Sequence, residues 1–140
     1  MSTANANTDK DLVVGLGATG LSIARYLKRN DANAIFFDSR KEPPGLDDLQ
    51  DVYPDAELRL GNDNLPKGVS RVIASPGVPD SHPLLEKARK KKVEVISDIE
   101  LFAREAEKPF VAVTGSNGKS TVTTLLYYCL LYTSDAADDF

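Results

Sequence analysis

The sequence predicts an α/β fold in which a Rossmann-like parallel sheet is covered by helices on both faces. Three observations predict it. Short apolar runs alternate with helical stretches, a glycine-rich turn follows the first apolar run, and an acidic residue ends the second. Strands that alternate with helices favour a parallel sheet, because each connecting helix packs back onto a face of that sheet. The 140 residues, 41% hydrophobic and 27% charged, suit one ordinary soluble domain.

Each predicted element has a local signal. In the first helix Ile23, Tyr26 and Leu27 recur at helical spacing. The helix after the fourth strand ends in basic residues, which suit the carbonyl end of a helix dipole. Asp98 is predicted to cap the next helix. The predicted strands are residues 11–17, 34–38, 56–60, 70–77, 93–97 and 110–115, and the predicted helices are residues 18–30, 82–92, 98–108 and a helix from Lys119, with a turn and a short helix in residues 41–55.

Composition and charge argue against several classes of protein. A net charge of −4 is unfavourable for a nucleic-acid surface. The polar residues 1–10 form no signal peptide and are predicted to be a disordered tail. The longest apolar run, residues 125–132, is far shorter than the roughly 20 residues that span a bilayer. With Cys129 as the single cysteine, we expect no internal disulfide, and overall a cytoplasmic protein without nucleic-acid or membrane partners.

The first glycine loop, residues 15–20, is a GxGxxG turn between a strand and a helix. Gly15 permits the tight turn, Gly17 lets the backbone approach a ligand, and Gly20 lets helix and strand pack closely. Asp38 follows 18 residues after Gly20, where a dinucleotide-binding fold keeps its ribose-binding acid. By pattern alone a diphosphate ligand, such as a nicotinamide or flavin cofactor, is the default. The alternative is that the glycines serve only the turn.

Other polar residues are predicted at the same edge of the sheet. Ser75, Pro76 and Gly77 end the fourth strand, where ligands bind in open α/β sheets, although such a segment is more often only a turn. Ser39 and Arg40 follow Asp38, and an arginine there suits phosphate or simple solvation. His82 precedes a proline at a helix start and is interpreted as a structural or capping residue.

The second glycine loop, residues 114–121, is a variant of the phosphate-binding P-loop between a predicted strand and a helix. Val113 occupies the position of the usual first glycine, and Gly115 comes two residues later. The backbone N–H groups of Asn117, Gly118 and Lys119 suit phosphates. The Lys119 ammonium suits the terminal phosphates and the Ser120 hydroxyl suits Mg²⁺. The alternative is a polar turn that merely joins strand to helix.

Two such loops in one chain, together with the segments around them, resemble the Mur ligase family, which builds the peptide of bacterial cell-wall precursors. The resemblance covers about residues 11–126. The resembling segments are GLGATGLS, DSRKEPPGLDDL, ASPGVPDSHP, SDIELFAREA and AVTGSNGKSTVTTLL. It implies an ATP-dependent amide-bond ligase that adds D-glutamate to UDP-N-acetylmuramoyl-L-alanine through an acyl phosphate, with Mg²⁺, as a monomer.

The resemblance also implies roles for residues of both loops. In this family the Rossmann-like domain binds the UDP part of the substrate rather than NAD. The implied substrate-binding residues are Gly17, Ala18, Thr19, Asp38, Ser39, Arg40, Ser75, Pro76 and Gly77. The implied ATP-binding residues are Gly115, Ser116, Asn117, Gly118, Lys119, Ser120 and Thr121. Among these, Lys119 is the implied catalytic residue and Ser120 the implied metal ligand.

The domain division follows from these segments. We expect a UDP-substrate domain over residues 11–107 and a truncated start of the ATP-binding domain over residues 108–128, consisting of its first strand, P-loop and helix. Residues 129–140 are predicted to be a non-native tail, because CLLYTSDAAD is similar to a translated sequencing-library adapter; a divergent natural tail is the alternative. We therefore expect the 140 residues alone to be inactive while still able to bind the UDP-sugar.

Two other functions remain open from the sequence. A nicotinamide-binding module would explain the first loop and Asp38 but gives no reason for the second loop. A related ligase for another amino acid, or a polyglutamate synthase, would share the second loop but should lack the DSRKEPPGL and SDIELF segments.

Overall fold

A computed structural model of the chain describes residues 9–137, and side chains through residue 133. In the first compact unit strands and helices alternate, except that the third strand leads to the fourth without a helix. This unit ends at Glu105, and a second unit begins at Ala106. In chain order the elements are β1 (Lys10–Val14), α1 (Ala18–Arg29), β2 (Ala34–Asp38), α2 (Leu46–Val52), β3 (Glu57–Leu60), β4 (Val69–Ala74), α3 (Pro83–Lys90), β5 (Glu94–Ser97), α4 (Asp98–Glu105) and α5 (Lys119–Ala137).

The five strands form one parallel sheet in the order β3-β2-β1-β4-β5. In the centre, Val13 of β1 lies opposite Phe36 of β2 on one side and Ile73 of β4 on the other. The chain adds β2 and β3 on one side of β1 and then crosses to add β4 and β5 on the other. This reversal makes the gap between the ends of β1 and β4 the topological switch point, where open α/β sheets bind ligands.

Helices cover both faces of the sheet, as the sequence predicted. On one face α1, α2 and α4 bury Leu27, Leu49 and Leu101 in a cluster with Val13 and Phe36. On the other face α3 buries a second apolar cluster, whose residues are Leu12, Val14, Ile35, Phe37, Val72, Leu84, Leu85 and Ala88. Successive strand residues point to opposite faces, so β1 contributes Val13 to one cluster and Leu12 and Val14 to the other. The α/β fold class is therefore confirmed for this unit.

Two glycines of the first loop are required by the fold itself. Gly15 has a φ of +97°, which side chains with a Cβ rarely adopt. A Cβ on Gly20 would lie 2.0 Å from the carbonyl oxygen of Gly15. The helix can pack this closely on the loop only because residue 20 has no side chain.

The second unit differs from its prediction. Residues 110–115 were expected to form a sixth strand, but the structure has no strand between α4 and α5. The physical reason is that a strand needs a hydrogen-bonded neighbour, and the described part of this unit holds one segment without regular structure and one helix. In α5 the side chains of Leu125, Tyr128 and Leu130 are more than half exposed. Within residues 9–137, none of the helices combines the length and the hydropathy that a membrane span requires.

Smaller corrections concern element ends. β1 begins at Lys10, one residue before the predicted start of the domain, and residues 1–8 of the predicted tail lie outside the described residues. Asp98 is the first residue of α4 rather than its cap. The cap is Ser97, whose hydroxyl accepts a hydrogen bond from the backbone N–H of Glu100 at 3.1 Å. Ser97 and Glu100 have the spacing of a capping box, a signal that the sequence contained and our prediction missed.

Candidate functional site

A crevice of about 430 Å³ opens at the carboxyl ends of the strands, at the switch point of the sheet. All nine residues that the family resemblance implies for substrate binding line it, and they come from three separate loops. Six further residues line it that were not predicted as ligand contacts. The predicted residues are Gly17, Ala18, Thr19, Asp38, Ser39, Arg40, Ser75, Pro76 and Gly77; the additional ones are Val14, Gly15, Phe37, Val78, Pro79 and His82.

The first glycine loop is held by the two buried polar side chains of the described residues, Asp38 and Ser75, which are 3% and 7% exposed. The Asp38 carboxylate accepts a hydrogen bond from the backbone N–H of Leu16 at 2.8 Å. The Ser75 hydroxyl donates one to the carbonyl of Gly15 at 3.0 Å. These bonds tie the loop to β2 and β4, so both residues shape the crevice wall in addition to lining it.

Asp38 also fixes Arg40. The carboxylate accepts hydrogen bonds from the Arg40 backbone N–H at 2.9 Å and from its Nε and Nη2 at 2.8 Å each. Burial raises the pKa of Asp38, but the bonds from the Arg40 side chain and the two backbone N–H groups outweigh burial and lower it from 3.8 to about 2. Asp38 therefore stays ionised at neutral pH and holds the half-exposed Arg40 guanidinium at the rim of the crevice.

The lowered pKa of Asp38 predicts an acid-dependent loss of stability. A carboxyl group whose pKa is lower in the folded than in the unfolded state stabilises the fold above its unfolded pKa and loses that contribution as pH falls. For Asp38 the loss falls between about pH 4 and pH 2 and amounts to about 2 kcal/mol of unfolding free energy. Measured by urea unfolding, the unfolding free energy of the wild type should fall towards that of Asp38→Asn as the pH is lowered through this window.

A surface variant provides the control for that measurement. Asp80 also pairs with an arginine, Arg89, but its side chain is 97% exposed. The unfolding free energy of Asp80→Asn should follow the same pH dependence as that of the wild type, because exposed ion pairs contribute little to stability. Parallel curves for Asp38→Asn as well would contradict the role assigned to the Asp38 carboxylate.

The N-terminus of α1 is open towards the crevice. Leu21 is the first residue whose N–H bonds back into the helix, to the Gly17 carbonyl at 3.0 Å. The N–H groups of Ala18, Thr19 and Gly20 precede it and are left for an outside acceptor. Gly17 provides no side-chain cap, and the first turn of α1 contains no acidic residue. By contrast, α2, α3 and α4 each have acidic residues in the first turn, so α1 is suited to an external anion.

Gly17 and Gly77 differ from Gly15 and Gly20 in having free space around them. A Cβ built on either would meet no heavy atom within 4 Å. Gly17 has a φ of −101°, which any residue can adopt. Neither packing nor backbone conformation explains glycine at position 17, whereas a ligand that approaches the backbone there would.

His82 caps α3, as predicted. Its Nδ1 accepts a hydrogen bond from the N–H of Leu84 at 3.2 Å, and Pro83 follows as the first helical residue. The ring also packs edge-on against Phe37, with 5.7 Å between ring centroids. Its place in the crevice lining was not predicted.

The second glycine loop lies in the second unit and leads directly into α5. Gly115 and Gly118 both have positive φ angles, +152° and +76°. The Lys119 ammonium donates a hydrogen bond to the Gly115 carbonyl across the loop. The first turn of α5 contains no acidic residue, a property that it shares with α1. The seven residues predicted to bind ATP thus form one turn and the start of one helix.

Comparison with known proteins gives a family for the first unit and relatives over most of the chain. Residues 9–97 match the family model for the Mur ligase MurD-like N-terminal domain. The chain is 51% identical over 117 residues to the UDP-N-acetylmuramoylalanine–D-glutamate ligase of Legionella pneumophila (strain Paris), covering 82% of this chain and 26% of that protein. Proteins of the same name from Nitrosococcus oceani and Haemophilus influenzae (strain PittEE) are 48% and 46% identical, over 82% and 88% of this chain. The chain spans about a quarter of the length of these relatives.

Proposed function

The chain belongs to the MurD-like branch of the Mur ligase family, and on this premise we propose that its crevice binds the UDP part of UDP-N-acetylmuramoyl-L-alanine. One observation carries the proposal: nine residues from three loops, chosen from the sequence, line one crevice at the switch point. In the proposed complex the diphosphate lies against the open N-terminus of α1 at Ala18 and Thr19. The uridine lies beside Asp38, Ser39 and Arg40, and residues 75–77 line the opposite wall.

The hydrogen bonds that Asp38 already accepts within the protein favour this ligand over NAD. A carboxylate has about four acceptor positions, and Asp38 already accepts four hydrogen bonds from Leu16 and Arg40. The acid that would hold a ribose hydroxyl in a dinucleotide site therefore has its oxygens engaged within the protein. The Arg40 side chain, which Asp38 holds in place at the rim of the crevice, is then the group that can contact the ligand.

We propose that the full-length enzyme catalyses the reaction that the names of its relatives describe, the addition of D-glutamate to UDP-N-acetylmuramoyl-L-alanine. ATP would transfer its terminal phosphoryl group to the carboxylate of the UDP-sugar-linked alanine, giving an acyl phosphate and ADP. The amine of D-glutamate would then attack the acyl carbon and release phosphate. Phosphorylation is needed because a free carboxylate is a poor electrophile with no good leaving group.

The second glycine loop fits the ATP side of this reaction. Its positive-φ glycines and the α5 N-terminus, which lacks acidic residues, suit phosphate oxygens. Lys119 would offset the charge on the transferred phosphoryl group, and the Ser120 hydroxyl would take a place on Mg²⁺. When bound, that ion would stabilise the same charge as a Lewis acid. Residues 108–128 are accordingly proposed as the start of the ATP-binding domain.

The 140 residues alone are expected to form no product from UDP-N-acetylmuramoyl-L-alanine, D-glutamate and ATP, since they correspond to about a quarter of the length of the relatives. Release of phosphate with formation of the D-glutamate adduct by the pure chain would contradict this. The proposed non-native tail at residues 129–140 stays a prediction. Reading the gene beyond the codon for Tyr128 tests it, and residues 138–140 lie outside the described residues.

Ligand binding tests the proposal for the crevice. UDP-N-acetylmuramoyl-L-alanine, at about 100 times its Kd, should stabilise the chain by about 2.7 kcal/mol and raise its melting temperature by roughly 10 °C. NAD at the same concentration should leave the melting temperature unchanged. Protection by NAD but not by the UDP-sugar would overturn the proposal and favour a nicotinamide-binding module.

A further inference from the structure

His82 is held in one orientation by its surroundings. Its backbone N–H donates to the Pro79 carbonyl at 2.9 Å, and its carbonyl accepts from the Glu86 N–H at 3.1 Å. Its ring is fixed by the Leu84 N–H at Nδ1 and by the edge-on contact with Phe37. The side chain therefore has little rotamer freedom left to lose when a ligand arrives.

The bond at Nδ1 decides which ring nitrogen carries the proton. An Nδ1 that accepts a hydrogen bond is unprotonated, so the neutral ring carries its hydrogen on Nε2. No described residue accepts a hydrogen bond from Nε2. Every buried side-chain nitrogen and oxygen of the described residues has a hydrogen-bond partner, so an Nε2 without one is not buried. Nε2 is therefore accessible, and the ring to which it belongs lines the crevice.

We propose that His82 is a specificity-determining residue of the crevice and that its Nε2–H donates a hydrogen bond to an oxygen acceptor of the bound nucleotide. The inference rests on the proposed function of the crevice. The acceptor chemistry is shared by phosphate oxygens and by the carbonyl groups of the base. A donor that is already oriented costs little entropy on binding, so the bond contributes most of its energy to affinity.

The same residue thus has two tasks, and two substitutions separate them. In His82→Asn the amide oxygen can replace Nδ1 as the cap of α3, but the shorter side chain does not reach the position of Nε2. In His82→Gln the amide nitrogen reaches the position of Nε2, but the cap is lost. The first variant tests the donor, and the second tests the cap.

The test measures binding of UDP and of uridine by titration, together with thermal unfolding, for the 140-residue chain and both variants. His82→Asn should melt only about 3 °C below the wild type, because the cap is kept and the Phe37 contact is lost, and it should weaken UDP binding by about 10-fold or more. His82→Gln should melt about 4 °C below His82→Asn because the cap is lost too, and its UDP affinity should lie between those of His82→Asn and the wild type, because its amide nitrogen reaches the acceptor without being held in place. Weaker UDP binding with unchanged uridine binding places the acceptor on a phosphate, and equal weakening places it on the nucleoside.

A spectroscopic readout distinguishes direct contact from a structural effect. His82 is the single histidine of the sequence, so its imidazole ¹⁵N resonances need no assignment. The free chain should show the Nε2–H tautomer, and UDP should shift the Nε2 resonance and slow exchange of its proton. UDP-affinity equal to wild type in His82→Asn, or an Nε2 resonance that UDP leaves in place, would overturn the inference while leaving the crevice as a UDP site. If the wild-type chain fails to bind UDP at all, both the role of His82 and the proposed function of the crevice are wrong.

Discussion

Replacing Gly20 by alanine is expected to lower the unfolding free energy by about 3 kcal/mol or more. At an exposed helical position the same change would stabilise by about 1 kcal/mol, because alanine is the better helix former. Here the added Cβ would lie 2.0 Å from the Gly15 carbonyl oxygen, and 3.1 Å from the carbonyl carbon. Backbone atoms cannot rotate away as a flexible side chain can, so steric repulsion outweighs helix propensity and α1 must separate from the loop.

Urea unfolding followed by circular dichroism measures this loss. Because Gly20 packs on the loop that Asp38 and Ser75 also hold, the unfolding should remain a single transition at lower urea. A variant as stable as the wild type would mean that α1 does not sit on the first glycine loop as the structure places it.

Replacing Gly17 by alanine is expected to leave the fold intact and to weaken binding of UDP-N-acetylmuramoyl-L-alanine by about 10- to 100-fold. The new methyl group meets no protein atom within 4 Å, and the φ of −101° suits alanine. The stability cost is limited to the poorer cap at the start of α1, about 1 kcal/mol or less. In the complex, however, the methyl group would occupy the space through which the diphosphate approaches the N–H groups of α1.

The two variants control each other, since each adds one methyl group to the same loop. Calorimetric titration and thermal unfolding of both should give opposite patterns: Gly20→Ala loses stability, and Gly17→Ala loses affinity. Wild-type affinity in Gly17→Ala would mean that no ligand approaches the backbone at residue 17.

Most of the sheet was predictable because its signals are local. The five strands of the first unit and the helices between them follow from apolar runs, glycine turns and helical spacing, and the parallel arrangement follows from their alternation. Strand order was not predictable in this way, since no local pattern in β4 indicates that it pairs with β1 rather than with β3. It is a property of packing between distant segments.

Nine of the fifteen residues that line the crevice were named from motif positions, and their roles as ligand contacts stay predictions. Motif positions identified the three loops that the structure brings together. The contacts of Asp38 with Leu16 and of Ser75 with Gly15 join residues 22 and 60 positions apart, and no local pattern reports them. His82 was recognised as a cap from the proline that follows it, yet its position in the crevice depends on where α3 packs against Phe37.

The sixth strand shows where local prediction failed. Residues 110–115 carry the continuous apolar run and the glycine end of a strand, and the structure forms none there. Strand formation depends on a partner in space, so a correct local signal produces no strand where the surrounding sheet is lacking.

The most direct test of the crevice as a UDP-sugar site is a ¹H–¹⁵N titration of the chain with UDP-N-acetylmuramoyl-L-alanine. The largest backbone shifts are predicted at Ala18, Thr19 and Gly20, with further shifts in residues 38–40 and 75–77 and none at the opposite edge of the sheet around Asp31. Saturable shifts centred elsewhere in the first unit, or an unchanged spectrum at millimolar ligand, would contradict the assignment.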